Sequence, residues 1–194
     1  MSSGSWNESG GPVICSNVSS SVNWNAIDPN VVFDQSGAPW LVFGSGWSGI
    51  QITKLTNSGT VDSSSPVTTI ATRTAGVIEG AAMVQRCGYY YLFSSWDRCC
   101  AGANSTYNIR VGRSTSMTSG FVDKDGVALT SGGGTLLVGA GNGWVGPGGQ
   151  SVLIDGNSAY LIFHAYAQSD GAFSLHISDL FWDDAGWPVT ASTP

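Results

Sequence analysis

The sequence predicts an all-β protein of β-propeller type, and three observations lead there. Charged residues are scarce, 20 of 194, where an ordinary soluble domain carries roughly 25%. The polar surface must come instead from 27 Gly, 28 Ser and 14 Thr, which argues against coiled coils and helical bundles, whose exposed faces need Glu, Lys, Arg and Ala. Hydrophobic residues make up 42% of the chain and 21 residues are aromatic, too many for a disordered polymer. Finally, one pattern recurs three times: a polar or Gly-rich anchor, an apolar strand, a Gly turn and an aromatic-rich strand.

The first copy, Asn25 to Ser45, reads NAIDPNVVFDQSGAPWLVFGS. The second, Gly76 to Ser95, is GVIEGAAMVQRCGYYYLFSS, and the third, Gly146 to Tyr166, is GPGGQSVLIDGNSAYLIFHAY. Each leads into a third strand of alternating character: Ile50 to Leu55, Tyr107 to Arg113 and Phe173 to Leu180. Val, Ile, Thr, Tyr and Phe dominate these runs, so no long helix is expected. Asp28 and Glu79 are 51 residues apart, and Glu79 and Gly149 are 70 apart, the Gly-rich stretch from Gly132 to Gly143 absorbing the excess. Periods near 50 with several strands each are those of propeller blades. Three blades follow, about 25–75, 76–140 and 141–194, after a leader at 1–24 in which Trp6 to Ser16 reads as the outer strand of a further blade. Propellers close with about 4 to 8 blades. Residues 1–194 are therefore expected to be the C-terminal part of a longer propeller, with Met1 an internal methionine.

Charge and hydropathy narrow the function classes. A net charge of −6 with seven scattered Lys and Arg leaves no basic stripe for nucleic acid or anionic membranes. No run of 18 apolar residues is present, and the opening MSSGSW is not a signal peptide. Sequons at Asn7, Asn17 and Asn104, and only two lysines, nevertheless suit an extracellular protein. Cys15, Cys87, Cys99 and Cys100 allow three pairings; the adjacent pair reads either as a vicinal disulfide or as two buried thiols.

Only two glutamates occur. Glu8 lies in a polar stretch and reads as a solvated charge. Glu79 interrupts Val77-Ile78 and Ala81-Ala82-Met83-Val84 at the head of an apolar strand, which in a propeller faces the central channel. Burial there favours the neutral carboxyl that a general acid requires. Asp28 holds the corresponding place one repeat earlier. Its plainer reading is an Asx-type turn before Pro29; its functional reading is a second carboxylate converging on the first. Paired carboxylates on an uncharged, aromatic-rich face suit glycoside hydrolysis.

The segments Asn25-Ala26-Ile27-Asp28-Pro29, Gly44-Ser45-Gly46-Trp47-Ser48-Gly49-Ile50, Tyr89 to Tyr107 through Cys99-Cys100, and Val111-Gly112-Arg113-Ser114 together resemble family 43 glycoside hydrolases, in particular endo-1,5-α-L-arabinanases of the secreted fungal type. The similarity runs from Trp6 to Pro188. It implies a five-bladed propeller, monomeric when complete, of which about the third to fifth blades are present, and cleavage of α-1,5-linked arabinan and arabino-oligosaccharides with inversion. By the same resemblance Glu79 is the proton donor, Asp28 tunes and orients it, and Asn25, Ala26, Ile27, Ser45, Gly46 and Trp47 line the substrate cleft. Trp47 also offers a flat apolar face suited to sugar C–H surfaces. The family's general base is an aspartate in the first blade, and no residue here matches it, so the fragment alone is expected to be inactive. No cofactor is implied. Gly149 stands where relatives carry a His that helps hold a channel ion or water, which argues against a bound cation there. His164 and His176 lie on strands and read as packed or exposed side chains. The alternatives are an exo-acting arabinofuranosidase or xylosidase of the same superfamily, or a noncatalytic carbohydrate-binding propeller.

Overall fold

A computed structural model describes residues 10–18 and 23–191. Twelve strands form three four-stranded antiparallel sheets, each ordered as the chain runs. The first contains β1 (Asn30–Phe33), β2 (Pro39–Phe43), β3 (Ile50–Lys54) and β4 (Thr68–Ala71). The second contains β5 (Ile78–Arg86), β6 (Tyr89–Trp96), β7 (Asn108–Ser114) and β8 (Thr135–Val138). The third contains β9 (Trp144–Asp155), β10 (Ser158–Ala167), β11 (Phe173–Trp182) and β12 (Pro188–Thr190). The helical content of the described residues is two short 3-10 turns, Gly102–Asn104 and Leu129–Ser131.

Tight turns at Gly join the first two strands of each sheet, with Gly37, Gly88 and Gly156 all at positive φ, as hairpin connections favour. Side-chain alternation then assigns each face. On β6, Tyr90 and Leu92 join a core with Val42, Ile50, Ile52 and Ile70 of the first sheet. Their neighbours Tyr91 and Phe93 point the other way, into a core with Leu161, Phe163, Ala165 and Leu180 of the third. The second sheet is thus covered on both sides, which is why β6 reads as an unbroken apolar run. The first strands β1, β5 and β9 are neighbours in that order, so the three sheets bring their leading strands to one line.

Two expectations need correction. Between residues 10 and 16 no strand forms; Ile14 and Trp24 instead pack on Leu41, Phe43 and Leu55 of the first sheet, and the Trp24 indole donates to the Cys15 carbonyl. Trp6, Glu8 and Asn7 lie outside the described residues. The Gly-rich stretch 132–143 is not all insertion, because β8 runs through it and pairs with β7.

Candidate active site

Along the three leading strands Asp28, just before β1, Gly80 in β5 and Gly149 within β9 take left-handed conformations, at φ 56°, 60° and 61°. Gly80 and Gly149 sit at bulges, where β5 slips against β6 between Glu79 and Ala82, and β9 against β10 between Gly148 and Ser151. A bulge bends its strand and re-aims the side chains beside it. Here Glu79 stays paired with Ser95 while Gly80 and Ala81 slip out of register, and the Glu79 carboxyl reaches partners on the first and second sheets.

Glu79 is held from several directions. The Ser45 hydroxyl, on the turn after β2, donates to Oε2 at 2.6 Å. The Tyr107 hydroxyl, just before β7, donates to Oε1 at 2.6 Å. The adjacent peptide is clamped as well: Asp28 Oδ2 accepts the Gly80 N–H at 3.1 Å, and the Gln150 amide donates to the Gly80 carbonyl. Gln150 is in turn fixed by the Ser95 hydroxyl at 2.6 Å, which also accepts the Gly149 N–H at 2.9 Å. The local Asx turn at Asp28 gives way to this cross-sheet bond.

Burial raises the Asp28 pKa above the usual carboxylate range; the Gly80 N–H opposes this, and the Glu79 charge adds to the rise. Burial also pushes the Tyr107 phenol well up, with its bond to Glu79 acting the same way, so it is a hydroxyl donor at neutral pH. The Tyr107 ring lies against Gly148, where a Cβ would come within 2.0 Å of Cδ1, and 5.9 Å from the His164 ring.

The remaining cleft residues are placed unevenly. Gly46 joins the first sheet to the second through its N–H to the Ile78 carbonyl at 2.9 Å. Trp47 is half exposed at φ 45°. Asn25 and Ala26 are tied to the Ser16 hydroxyl. Ala26 and Ile27 line a hollow of about 720 Å³ on the outer face of the first sheet, with Val31, Phe33 and Leu41, rather than the depression at Glu79. That depression, about 470 Å³, is lined by Glu79, Val77, Asp97, Arg98, Cys99 and Thr106. Cys99 and Cys100 form a disulfide, whereas Cys15 and Cys87 are free and exposed.

Gly149 offers no side chain, and the imidazole against it is that of His164. Burial lowers the His164 pKa, so the ring is neutral near pH 7, and its buried Nε2 has no partner in the structure. His176 packs edge-on against Trp144 and parallel to Phe163.

The roles of Tyr107 and Ser95 were not singled out from the sequence, and Gln150 stood out there only, with Gly149, as a departure from the His and Asn that relatives usually carry. The signal available for Tyr107 was its place at the end of the Cys99 to Tyr107 block, next to β7; the pairing of Ser95 with Gln150 becomes visible only through the bulges that bring them together.

Two carboxyls at the heads of neighbouring strands, one seated by hydroxyl donors, in a chain of three β-sheets, are the kind of pair that glycoside hydrolases use. Residues 2–188 match Glycosyl hydrolases family 43, and the chain belongs to that family. It is 45% identical over 191 residues to the extracellular endo-α-(1→5)-L-arabinanase 1 of Bacillus subtilis, covering 97% of this chain and 57% of that protein. It is 36% identical over 178 residues to the extracellular exo-α-(1→5)-L-arabinofuranosidase ArbA of Cellvibrio japonicus, covering 85% and 51%. Among solved structures, a Cellvibrio cellulosa α-L-arabinanase superposes with a TM-score of 0.87 at 35% identity, over 94% of this chain and 62% of that one. The chain thus spans about three-fifths or less of the length of these relatives.

Proposed function

We propose that these residues form the acid-bearing part of an extracellular enzyme that cleaves internal α-1,5 linkages of arabinan with inversion. The observation that carries the reading is the seating of Glu79, whose two carboxyl oxygens and following peptide are held by residues from all three sheets. A general acid must keep one orientation while the leaving oxygen takes its proton, and such a cradle supplies it. Asp28 tunes and orients the acid. Ser45, Gly46 and Trp47 form the wall along which the polymer lies, Trp47 offering its exposed face to sugar C–H groups, whereas Asn25, Ala26 and Ile27 lead the chain into the Asp28 turn without lining the depression at Glu79. The attacking water needs a second carboxylate on the opposite side of the sugar. In our reading that base is an aspartate in a sheet preceding residue 25. Three sheets in about three-fifths of the relatives' length leave room for two more, which supports a five-bladed propeller.

Endo action is favoured over exo action by the higher identity to the Bacillus subtilis endo-arabinanase than to the Cellvibrio japonicus exo-enzyme. Chromatography of the early products of linear arabinan distinguishes them. Endo cleavage gives oligosaccharides of mixed length at low conversion, and release of a single short product from the outset would contradict it. No cofactor enters this scheme.

A further inference from the structure

The depression beside Glu79 has an apolar floor that the scheme above does not use. Val77 is exposed there, and the half-buried Cys99 presents the disulfide it forms with the exposed Cys100. Around this floor stand polar groups: Thr106, Arg98 and Asp97, the last engaged by Arg73 at 2.7 Å and by Asn108 at 2.9 Å. A disulfide between adjacent residues closes a small ring through their own peptide, giving an uncharged, polarisable surface that cannot fold away. The loop that carries it is pinned at both ends. The Asp97 N–H donates to the Val77 carbonyl at 3.0 Å, and the Arg98 carbonyl accepts from the N–H groups of Thr106 and Tyr107 at 3.0 and 3.1 Å. The Ala101 N–H donates to the Ser105 hydroxyl at 3.0 Å, and Gly102 packs closely against Gly171 of the third sheet. The loop ends at Tyr107, whose hydroxyl holds Glu79.

We infer that the Cys99–Cys100 disulfide and Val77 form a binding platform on which the C–H face of an arabinofuranose ring next to the scissile bond rests. The inference builds on the arabinan reading above. A furanose presents an apolar face and a hydroxylated edge. The floor matches the face, and Thr106 with the exposed Arg98 matches the edge, while a cationic ligand would find Asp97 already bonded to Arg73. Burial of the face supplies affinity, and the rigidity of the ring keeps its ordering cost low.

The test is calorimetric titration of the 194-residue chain with linear α-1,5-arabinotriose, comparing the oxidised protein, the protein reduced by a phosphine, and the Cys99→Ser/Cys100→Ser variant. Among the described residues the other two cysteines are free, so the reductant acts on this pair. Near-ultraviolet circular dichroism monitors folding. The expected result is a Kd weakened about tenfold in both altered forms with the spectrum retained. Should the serine variant not fold, Val77→Ser alters the same floor without touching the disulfide and is expected to weaken binding about threefold. Binding by the oxidised chain that none of these changes weakens overturns the platform and leaves the arabinan reading standing. No binding by the oxidised chain overturns both.

Discussion

Gly148 lies so close to the Tyr107 ring that a methyl group would meet Cδ1 at 2.0 Å. Gly148→Ala must therefore displace Tyr107, and with it the hydroxyl on Glu79. The expected cost is about 1–3 kcal/mol, read by thermal unfolding, and Tyr107→Ala in the same chain should make the two losses less than additive. Asp28 gives a prediction with pH. Burial and the Glu79 charge raise its pKa against the opposing Gly80 N–H, so the folded state binds its proton more tightly than the unfolded chain does. The stability of the neutral form is then present below the unfolded pKa and lost as pH rises through the folded one. Asp28→Asn, which tolerates the left-handed backbone, should melt higher than the native chain at pH 7, by no more than about 2 °C because solvent screens the group. Below roughly pH 4 the difference should vanish. Asp28 and Glu79 were legible in the sequence because carboxylates are rare and both head apolar strands. Tyr107 was not, since its role arises from the loop 97–107 between β6 and β7, which returns to the strand that carries Glu79.

At the scale of the strand, β6 shows why alternation matters in a sheet covered on both sides. Tyr91 and Phe93 fill one interface and Tyr90 and Leu92 the other. Phe93→Ala should cost about 3–5 kcal/mol, whereas Phe173→Ser, at a side chain 78% exposed, should stay within about 0.5 kcal/mol; denaturant titration measures both. The first three strands of each sheet were visible as aromatic or alternating runs. The fourth, β4, β8 and β12, are three or four residues long, too short to show a period, as suits strands at a sheet edge. The bulges at Gly80 and Gly149 were hidden for another reason: a glycine within a strand marks a special backbone without saying which side chain it turns.

For the molecule as a whole, both outer faces of the three-sheet stack are apolar. Val31 and Phe33 stand exposed on the first sheet, and Phe173, Leu175, Ile177 and Phe181 on the third. The 194-residue chain should therefore self-associate, and sedimentation velocity should show Leu175→Lys/Ile177→Lys shifting it toward monomer. A monomeric native chain would contradict this. The scarcity of charge, which first pointed to β structure, also explains why the site depends on hydroxyls and backbone amides instead of ion pairs. The central claim is that Glu79 donates the proton to the leaving oxygen. Its most direct test compares Glu79→Gln with the native residue in the chain joined to the N-terminal part of the Bacillus subtilis relative, on linear arabinan and on a dinitrophenyl arabinotrioside whose leaving group departs without a proton. The account predicts a loss of roughly 10²–10⁴-fold on arabinan and little loss on the aryl substrate; equal losses on both, or none on arabinan, would contradict it.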